Sequence, residues 1–173
     1  MRIFLHSFIS FAMVFSLSAC NMFTGKEIST DGKVTSETTA VNEFKSTYYA
    51  NQRYGYSISY PDVFKNSLES DSGDGIALNS DEAKLSIWGI NNASEQVFSD
   101  TITTTMLNYT NAQISLKESN FFSFTYDVDD STTGYYYCAL SSDNKKFIGF
   151  DLEYPSDEKE VYESYASSMA NNF

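Results

Sequence analysis

Histidine is almost missing from this chain. There is one in 173 residues, His6, and it lies inside an apolar leader. From residue 20 onward there is none, which excludes Ser-His-Asp and Cys-His nucleophilic catalysis and every histidine-ligated zinc or iron site from that part of the chain. Cysteine is nearly as scarce, with Cys20 and Cys138 alone, too few for a scaffold stapled by several disulfides. Positive charge is also short. Eleven Lys and Arg face 23 Asp and Glu, a net charge of −12 that repels nucleic-acid phosphates and anionic lipid headgroups, so nucleic-acid binding is excluded. No Gly-rich phosphate loop is present. No apolar run reaches the roughly 20 residues of a spanning helix either. The longest, from Ile3 to Leu17, is interrupted by His6, Ser7, Ser10 and Ser16.

What is present begins with that leader: Arg2, the apolar run, then Ser18 and Ala19, the layout of a secretory signal. Leu17-Ser18-Ala19-Cys20 resembles the lipobox of bacterial lipoproteins, in which the cysteine thiol takes a diacylglyceryl group and cleavage frees its amine. The resemblance implies a signal peptide at 1–19 and lipid attachment at Cys20. It also implies a lipid-anchored place in the bacterial cell envelope, facing outside the cytoplasm. Each buried methylene of such an anchor contributes about 0.8 kcal/mol, and two or more acyl chains hold a protein on a membrane stably. The alternatives are an ordinary secreted protein, which has no use for cysteine at that position, and a spanning helix, for which the run is too short. With Cys20 lipidated, Cys138 has no disulfide partner.

Residues 20–47 are rich in Thr, Ser, Lys and Glu, and their apolar residues keep no period. They read as a flexible tether too polar to offset its ordering entropy, reaching on the order of 25–30 Å. Residues 48–173 read as one domain. Tyr56, Ile58 and Tyr60 alternate with serines in a strand ended by Pro61, and a helical turn is expected over 62–66. Two strands, 76–79 and 84–90, make a hairpin, with Leu85 and Ile87 on one face and Trp88 opposite. Phe98, Ile102, Met106 and Tyr109 then fall at helical spacing, predicting a helix over 94–109 capped near Asn91 to Ser94. A meander of four strands follows over 112–118, 121–128, 134–141 and 146–154. Phe121, Tyr136 and Phe147 point away from the main apolar sets of their strands, so cover is expected on both faces. Asp157 and Glu160 suggest a capping box for a terminal helix whose stripe is Val161, Tyr162, Tyr165, Met169 and Phe173. Tyr56, Ile58, Phe122, Phe124, Tyr126, Ile148, Phe150 and Leu152 are expected in one antiparallel sheet, contacted by Val161, Tyr165 and Met169.

Tyr54-Gly-Tyr-Ser-Ile-Ser-Tyr-Pro61, the Asp74-Gly75 turn, Gly149-Phe-Asp-Leu-Glu-Tyr-Pro155 and the closing helix to Phe173 together resemble Mog1/PsbP-like domains. The resemblance implies an α+β fold: a central antiparallel sheet of six or seven strands flanked by helices, an α/β/α sandwich. It also implies a binding module, since similar domains serve in photosystem assembly or small-GTPase regulation. Neither role carries over to particular residues here, and a fold does not by itself imply a function.

The remaining chemistry is carboxylate chemistry. Asp127, Asp129 and Asp130 cluster after a strand, and Asp71 and Asp74 share a glycine-bearing turn, but neither follows the spacing of a calcium loop. Cys138, inside a run of tyrosines, is expected as a buried, inert thiol. Trp88 offers an anchor for a sugar or peptide, against the expectation that a sheet covered on both sides buries it. The sequence therefore points to a non-catalytic binding or scaffold module for an envelope protein or small ligand, with no cofactor, metal or catalytic residue assigned. The alternative is a carboxylate-dependent hydrolase or a calcium-binding envelope protein.

Overall fold

Alternation of apolar and polar residues in the C-terminal half becomes a meander, and one earlier strand joins its far side. The computed structural model describes residues 44–94 and 97–173. The proposed signal peptide, Cys20 and the tether up to residue 43 lie outside the described residues. The elements are β1 (Ser46–Asn51), β2 (Tyr56–Pro61), β3 (Asn66–Glu69), β4 (Gly75–Asn79), β5 (Lys84–Asn91) and α1 (Phe98–Met106). Then come β6 (Thr110–Lys117), β7 (Phe121–Asp127), β8 (Thr132–Leu140), β9 (Lys146–Pro155), one 3-10 turn (Ser156–Glu158) and α2 (Lys159–Ala170). Strands β3 to β9 form one seven-stranded antiparallel sheet in the order β3-β4-β5-β9-β8-β7-β6. Strands β1 and β2 make a separate two-stranded ribbon. The α+β sandwich expected from the sequence is therefore present, with a helix on each face of the sheet.

Each face has its own core. On the first, Leu85 and Ile87 of β5, Tyr135 and Tyr137 of β8, and Phe150, Leu152 and Tyr154 of β9 meet the ribbon residues Tyr56 and Ile58 and the α2 residues Tyr162, Ala166 and Met169. Gly89 lets the ribbon lie close, because a Cβ there would press into the rings of Tyr54 and Tyr56. On the second face, Phe122, Phe124 and Tyr126 of β7 join Tyr136 and Cys138 of β8 and Phe147 of β9 beneath Phe98 and Ile102 of α1. Stacked rings dominate here, Phe124 and Tyr136 lying 4.8 Å apart between centroids at 15°.

Several local expectations are corrected. Tyr56 and Ile58 belong to the ribbon, not to the main sheet. Tyr136 and Phe147 share a face with Phe122, opposite Phe150 and Leu152, because β7 pairs Phe124 with Tyr136 while β9 pairs Leu152 with Tyr135. A turn is present at 62–63, closed by the Phe64 N–H on the Pro61 carbonyl at 3.2 Å, and Phe64 is buried as expected. Strand β3 behind it is unanticipated, since it has a single apolar residue and so no period to read; all four of its residues are exposed. Strand β1 takes in Ser46 and Thr47, and Phe44 packs edge-on against Tyr165 at 5.0 Å, so order begins ahead of residue 48.

The helices differ at their ends. Helix α1 starts at Phe98 behind Val97 with no side-chain cap. Its threonines are tolerated because exposed hydroxyls bond back along the helix, Thr104 Oγ1 donating to the Asp100 carbonyl at 2.9 Å. The Asp157–Glu160 capping box does not form. The chain entering α2 is held instead by the turn between β7 and β8, where Ser156 N–H donates to the Ser131 carbonyl at 2.8 Å. On α2 the buried residues are Tyr162, Ala166 and Met169. Val161, one residue off that stripe, is 47% exposed and does not contact the sheet core as expected.

Met169 is fully buried and Val161 is not. Met169→Ala should therefore cost about 2–5 kcal/mol, and Val161→Ala no more than about 0.5 kcal/mol. Urea unfolding of the two variants checks the phase of α2, and equal losses would place the helix in a different rotation.

Candidate functional site

Antiparallel register lines up side chains across strands, and on the second face it produces three continuous rows. The middle row runs Leu68, Ala77, Ser86, Asp151, Tyr136, Phe124, Ile114 through all seven strands. One neighbouring row runs Gly75, Trp88, Gly149, Cys138, Phe122. The other runs Asn79, Lys84, Glu153, Gly134, Tyr126. On β8 and β7 these rows carry the rings of Tyr136, Phe122, Phe124 and Tyr126; on β9 they carry Gly149, Asp151 and Glu153; from β5 to β3 they are small or polar apart from Trp88 and Leu68.

Asp151 stands where the two halves meet. Its Oδ1 accepts the Tyr126 hydroxyl at 2.6 Å and its Oδ2 accepts the Tyr109 hydroxyl at 3.2 Å. Both donors are placed by packing. A Cβ on Gly134 would overlap the Tyr126 ring, so glycine there lets the tyrosine lie across the sheet towards Asp151. Tyr109, just beyond α1, sits 4.4 Å from the Tyr126 ring centroid. Burial pushes the Asp151 carboxyl up to about 6, the two tyrosine hydroxyls pull against that rise, and Glu153 adds to it. Both tyrosines are raised, by burial first and then by Asp151. Glu153 itself is paired with Lys84 at 3.2 Å.

Beside this cluster, Trp88 lies between Gly75 and Gly149 in its row. A Cβ on Gly149 would overlap both the Trp88 ring and the Tyr137 carbonyl oxygen, so the indole rests on bare backbone. One side of it meets Tyr136 at 5.7 Å. Its other side looks over a trench of about 380 Å³ that extends to Leu68, with Gly75, Ala77 and Ser86 between. The indole is half-buried rather than enclosed, while Ala77 and Ser86 are exposed and Leu68 is 75% exposed.

Asp151 was not singled out in the sequence. The available signal was its place: an acid in the middle of the longest strand, alternating with apolar residues on a sheet expected to be covered on both faces. Three of the acids that the sequence offers, Asp74, Asp127 and Asp129, are engaged by polar neighbours. Asp74 accepts from Ser72 Oγ at 2.7 Å and from the Tyr54 hydroxyl at 3.0 Å, and pairs with Arg53 at 3.1 Å; these bonds, Ser72 first, hold its carboxyl below the usual range. Asp129 accepts from the Ser131 backbone N–H at 2.8 Å and is likewise lowered. Asp127 accepts from Asn111 Nδ2 at 2.7 Å. Among the described residues no three metal-ligating side chains are gathered together. Cys138 is buried, and burial pushes its thiol up to about 12, which makes it unreactive at neutral pH. Cys20, the expected lipid-attachment residue, lies outside the described residues.

Asp151 gives stability a pH dependence of definite sign. Its folded pKa of about 6 lies above the value for an unfolded chain, so the native state holds the proton more tightly. Stability should fall as pH rises from about 4 to about 6, by at most about 3 kcal/mol from this group. Asp151→Asn retains an acceptor for a tyrosine hydroxyl and removes the titration. The difference between wild-type and variant unfolding free energies should therefore change across that window, and a pH-independent difference would show that Asp151 is well solvated.

No family model matches the chain, and no curated protein matches its sequence. Solved structures do match in fold. The solution structure of the cyanobacterial PsbP protein CyanoP from Synechocystis sp. PCC 6803 is 16% identical, covers 75% of this chain and 94% of its own, and superposes with a TM-score of 0.50. The crystal structure of the Saccharomyces cerevisiae Ran-binding protein Mog1p is 9% identical with the same two coverages and the same TM-score. At these identities the likeness is one of fold: the described domain is similar to Mog1/PsbP-like proteins in architecture.

Proposed function

We propose that the chain is a lipid-anchored protein of the bacterial cell envelope whose Mog1/PsbP-like domain is a non-catalytic binding or scaffold module, with a protein as its partner. In this reading residues 1–19 are a signal peptide, Cys20 carries the lipid, the polar segment after it is a tether, and the domain faces outside the cytoplasm. The observation that carries the binding role is the half-open second face, where Trp88 borders a trench floored by small residues. A purely structural sheet face would be covered or polar. The fold supports the same class, and one structural neighbour is a Ran-binding protein, which favours a protein over a small molecule as the partner.

A carboxylate-dependent hydrolase is the weaker reading on geometry. Acid-only catalysis needs two acids held across a cleft with separated pKa values. Asp151 is raised, but each of its oxygens already accepts a tyrosine hydroxyl, and Glu153 beside it is tied to Lys84. Calcium binding is weaker still, since the turn acids bond to their own neighbours.

The anchor is tested at Cys20. Cys20→Ser should abolish incorporation of labelled fatty acid, accumulate an unprocessed precursor and remove the lipid-dependent membrane association of the mature form. Unchanged labelling and processing would overturn the lipoprotein assignment.

A further inference from the structure

A second cleft, of about 600 Å³, opens where the start of α2 passes the β4–β5 turn and the chain leading into β3, and it shares no residue with the trench beside Trp88. The turn is closed twice. Ser80 Oγ accepts the Ala83 N–H at 2.9 Å and the Ser80 N–H donates to the Ala83 carbonyl at 2.9 Å, which sets Asp81 and Glu82 at its tip. Lys65 is placed by its own N–H, which donates to the Asn79 carbonyl at 3.2 Å. The helix side supplies Glu158, Tyr162 and Tyr165. Tyr162 is 5% exposed, and its hydroxyl faces Ser80, Glu158 and Glu82. The Glu158 carboxyl is pushed up, first by the charge of Glu82 and then, after burial, by Asp157, so two elements aim carboxylates at one place. The neighbouring cations are engaged elsewhere: Lys84 pairs with Glu153, Lys159 with Glu163 and Lys45 with Asp62. Among the described residues none of Lys65, Asp81, Glu82 and Glu158 belongs to an ion pair. Opposite charges therefore border one cleft without closing on each other.

From this arrangement we infer that the cleft binds a free dibasic amino acid, its carboxylate towards Lys65 and its two ammonium groups towards Glu82 and Glu158. Charge selects that class. Asp81, Glu82 and Glu158 against Lys65 leave the cleft net negative, which favours a ligand of net positive charge over a neutral or acidic one. Lys65 in turn favours a ligand that also carries a carboxylate, and so disfavours a plain diamine. A metal ion is the poorer occupant, because no three metal-ligating side chains are gathered among the described residues. The rings of Tyr162 and Tyr165 and the side chain of Val63 offer apolar surface to the methylene chain, and the Asn66 and Asn79 amides offer hydrogen bonds. The closed turn and the packed helix hold these groups in place before the ligand arrives, which lowers the ordering cost of binding. This site is additional to the binding-module reading, which concerns the trench and a protein partner.

The test is calorimetric titration of the full-length protein with L-lysine at low salt. Cadaverine, which keeps both amines and lacks the carboxylate, is one contrast; Nα-acetyl-L-lysine amide, which keeps only the side-chain charge, is the other. L-lysine should give a saturable heat at one site and bind more tightly than either contrast. Lys65→Gln should weaken L-lysine by about fivefold and leave cadaverine equal or tighter, which erases the preference between them. Glu82→Gln and Glu158→Gln should each weaken L-lysine by about fivefold. None of the three side chains is buried, so folding is spared. Glu118→Gln makes the same change of charge after β6, at the far edge of the sheet, and should leave affinity within twofold. Absence of a saturable heat with L-lysine would overturn the inference. So would a contrast that binds as tightly as L-lysine, or a loss at Glu118→Gln equal to that at Glu158→Gln, which would reduce the effect to the field of the whole protein. Each of these outcomes leaves the binding-module reading in place, because none of the substituted residues borders the trench.

Discussion

The cover that one short helix gives a wide sheet sets the character of this domain. Seven strands spaced by about 4.8 Å span on the order of 29 Å, and the nine residues of α1 extend only about 14 Å. The first face escapes this limit because α2 and the β1–β2 ribbon lie over it together, from β4 to β8. On the second face α1 and Tyr109 roof the strands from β9 to β7, and the cover ends there. Composition follows that boundary. Rings fill β8 and β7 under the roof, while Gly75, Ala77 and Ser86 occupy the unroofed strands, which leaves Trp88 and Leu68 as the large side chains bordering them.

Asp151 sits at the edge of the roof, and its position has a physical logic. A carboxylate deeper in would be unpaired in an apolar core at great cost, and one further out would be an ordinary solvated acid. At the boundary it takes the hydroxyls of Tyr109 and Tyr126 and so fixes the end of the α1 segment against β7 and β9. The two glycines in the flanking rows serve the same arrangement, Gly134 by letting Tyr126 lie across the sheet and Gly149 by seating Trp88. Aromatic rings and bare backbone alternate where the cover ends.

The fold was legible where one face of an element is apolar and the other is not. The meander β6 to β9, the β4–β5 hairpin and both helices carry such patterns, and all were placed within a few residues. Strand β3 carries none, having only Leu68, and the sequence pattern does not mark it as a strand. The ribbon was read as part of the main sheet because alternation in Tyr56, Ile58 and Tyr60 announces a covered face without saying which sheet the strand joins. Face assignment failed for Tyr136 for a related reason: a strand buried on both sides gives no contrast between its two sets, and only register separates them. Asp151 stayed hidden because its meaning depends on Tyr109 and Tyr126, which reach it from 42 and 25 residues away. Trp88 was identified as a possible anchor, and register with two glycines decides how it lies.

The pairing of β5 with β9 has a consequence for the order in which the molecule forms. Within β6 to β9 each strand pairs with its neighbour in sequence, so those contacts close short loops, whereas β5 must wait for β9 across the interval from Asn91 to Lys146. Closing a longer loop costs only about 0.6 kcal/mol more per doubling of its length, but rates fall as pairing becomes less local. A chain that emerges N-terminus first therefore presents β3, β4 and β5 as a small unfinished sheet, with Leu85 and Ile87 uncovered. The last strand to arrive unites the two halves, and α2 follows to seal the first face. Until those final residues are available, the β1–β2 ribbon, the β3–β5 sheet and the β6–β8 meander all keep exposed edges, and the time that the domain spends in that state is set by the arrival of β9 and α2.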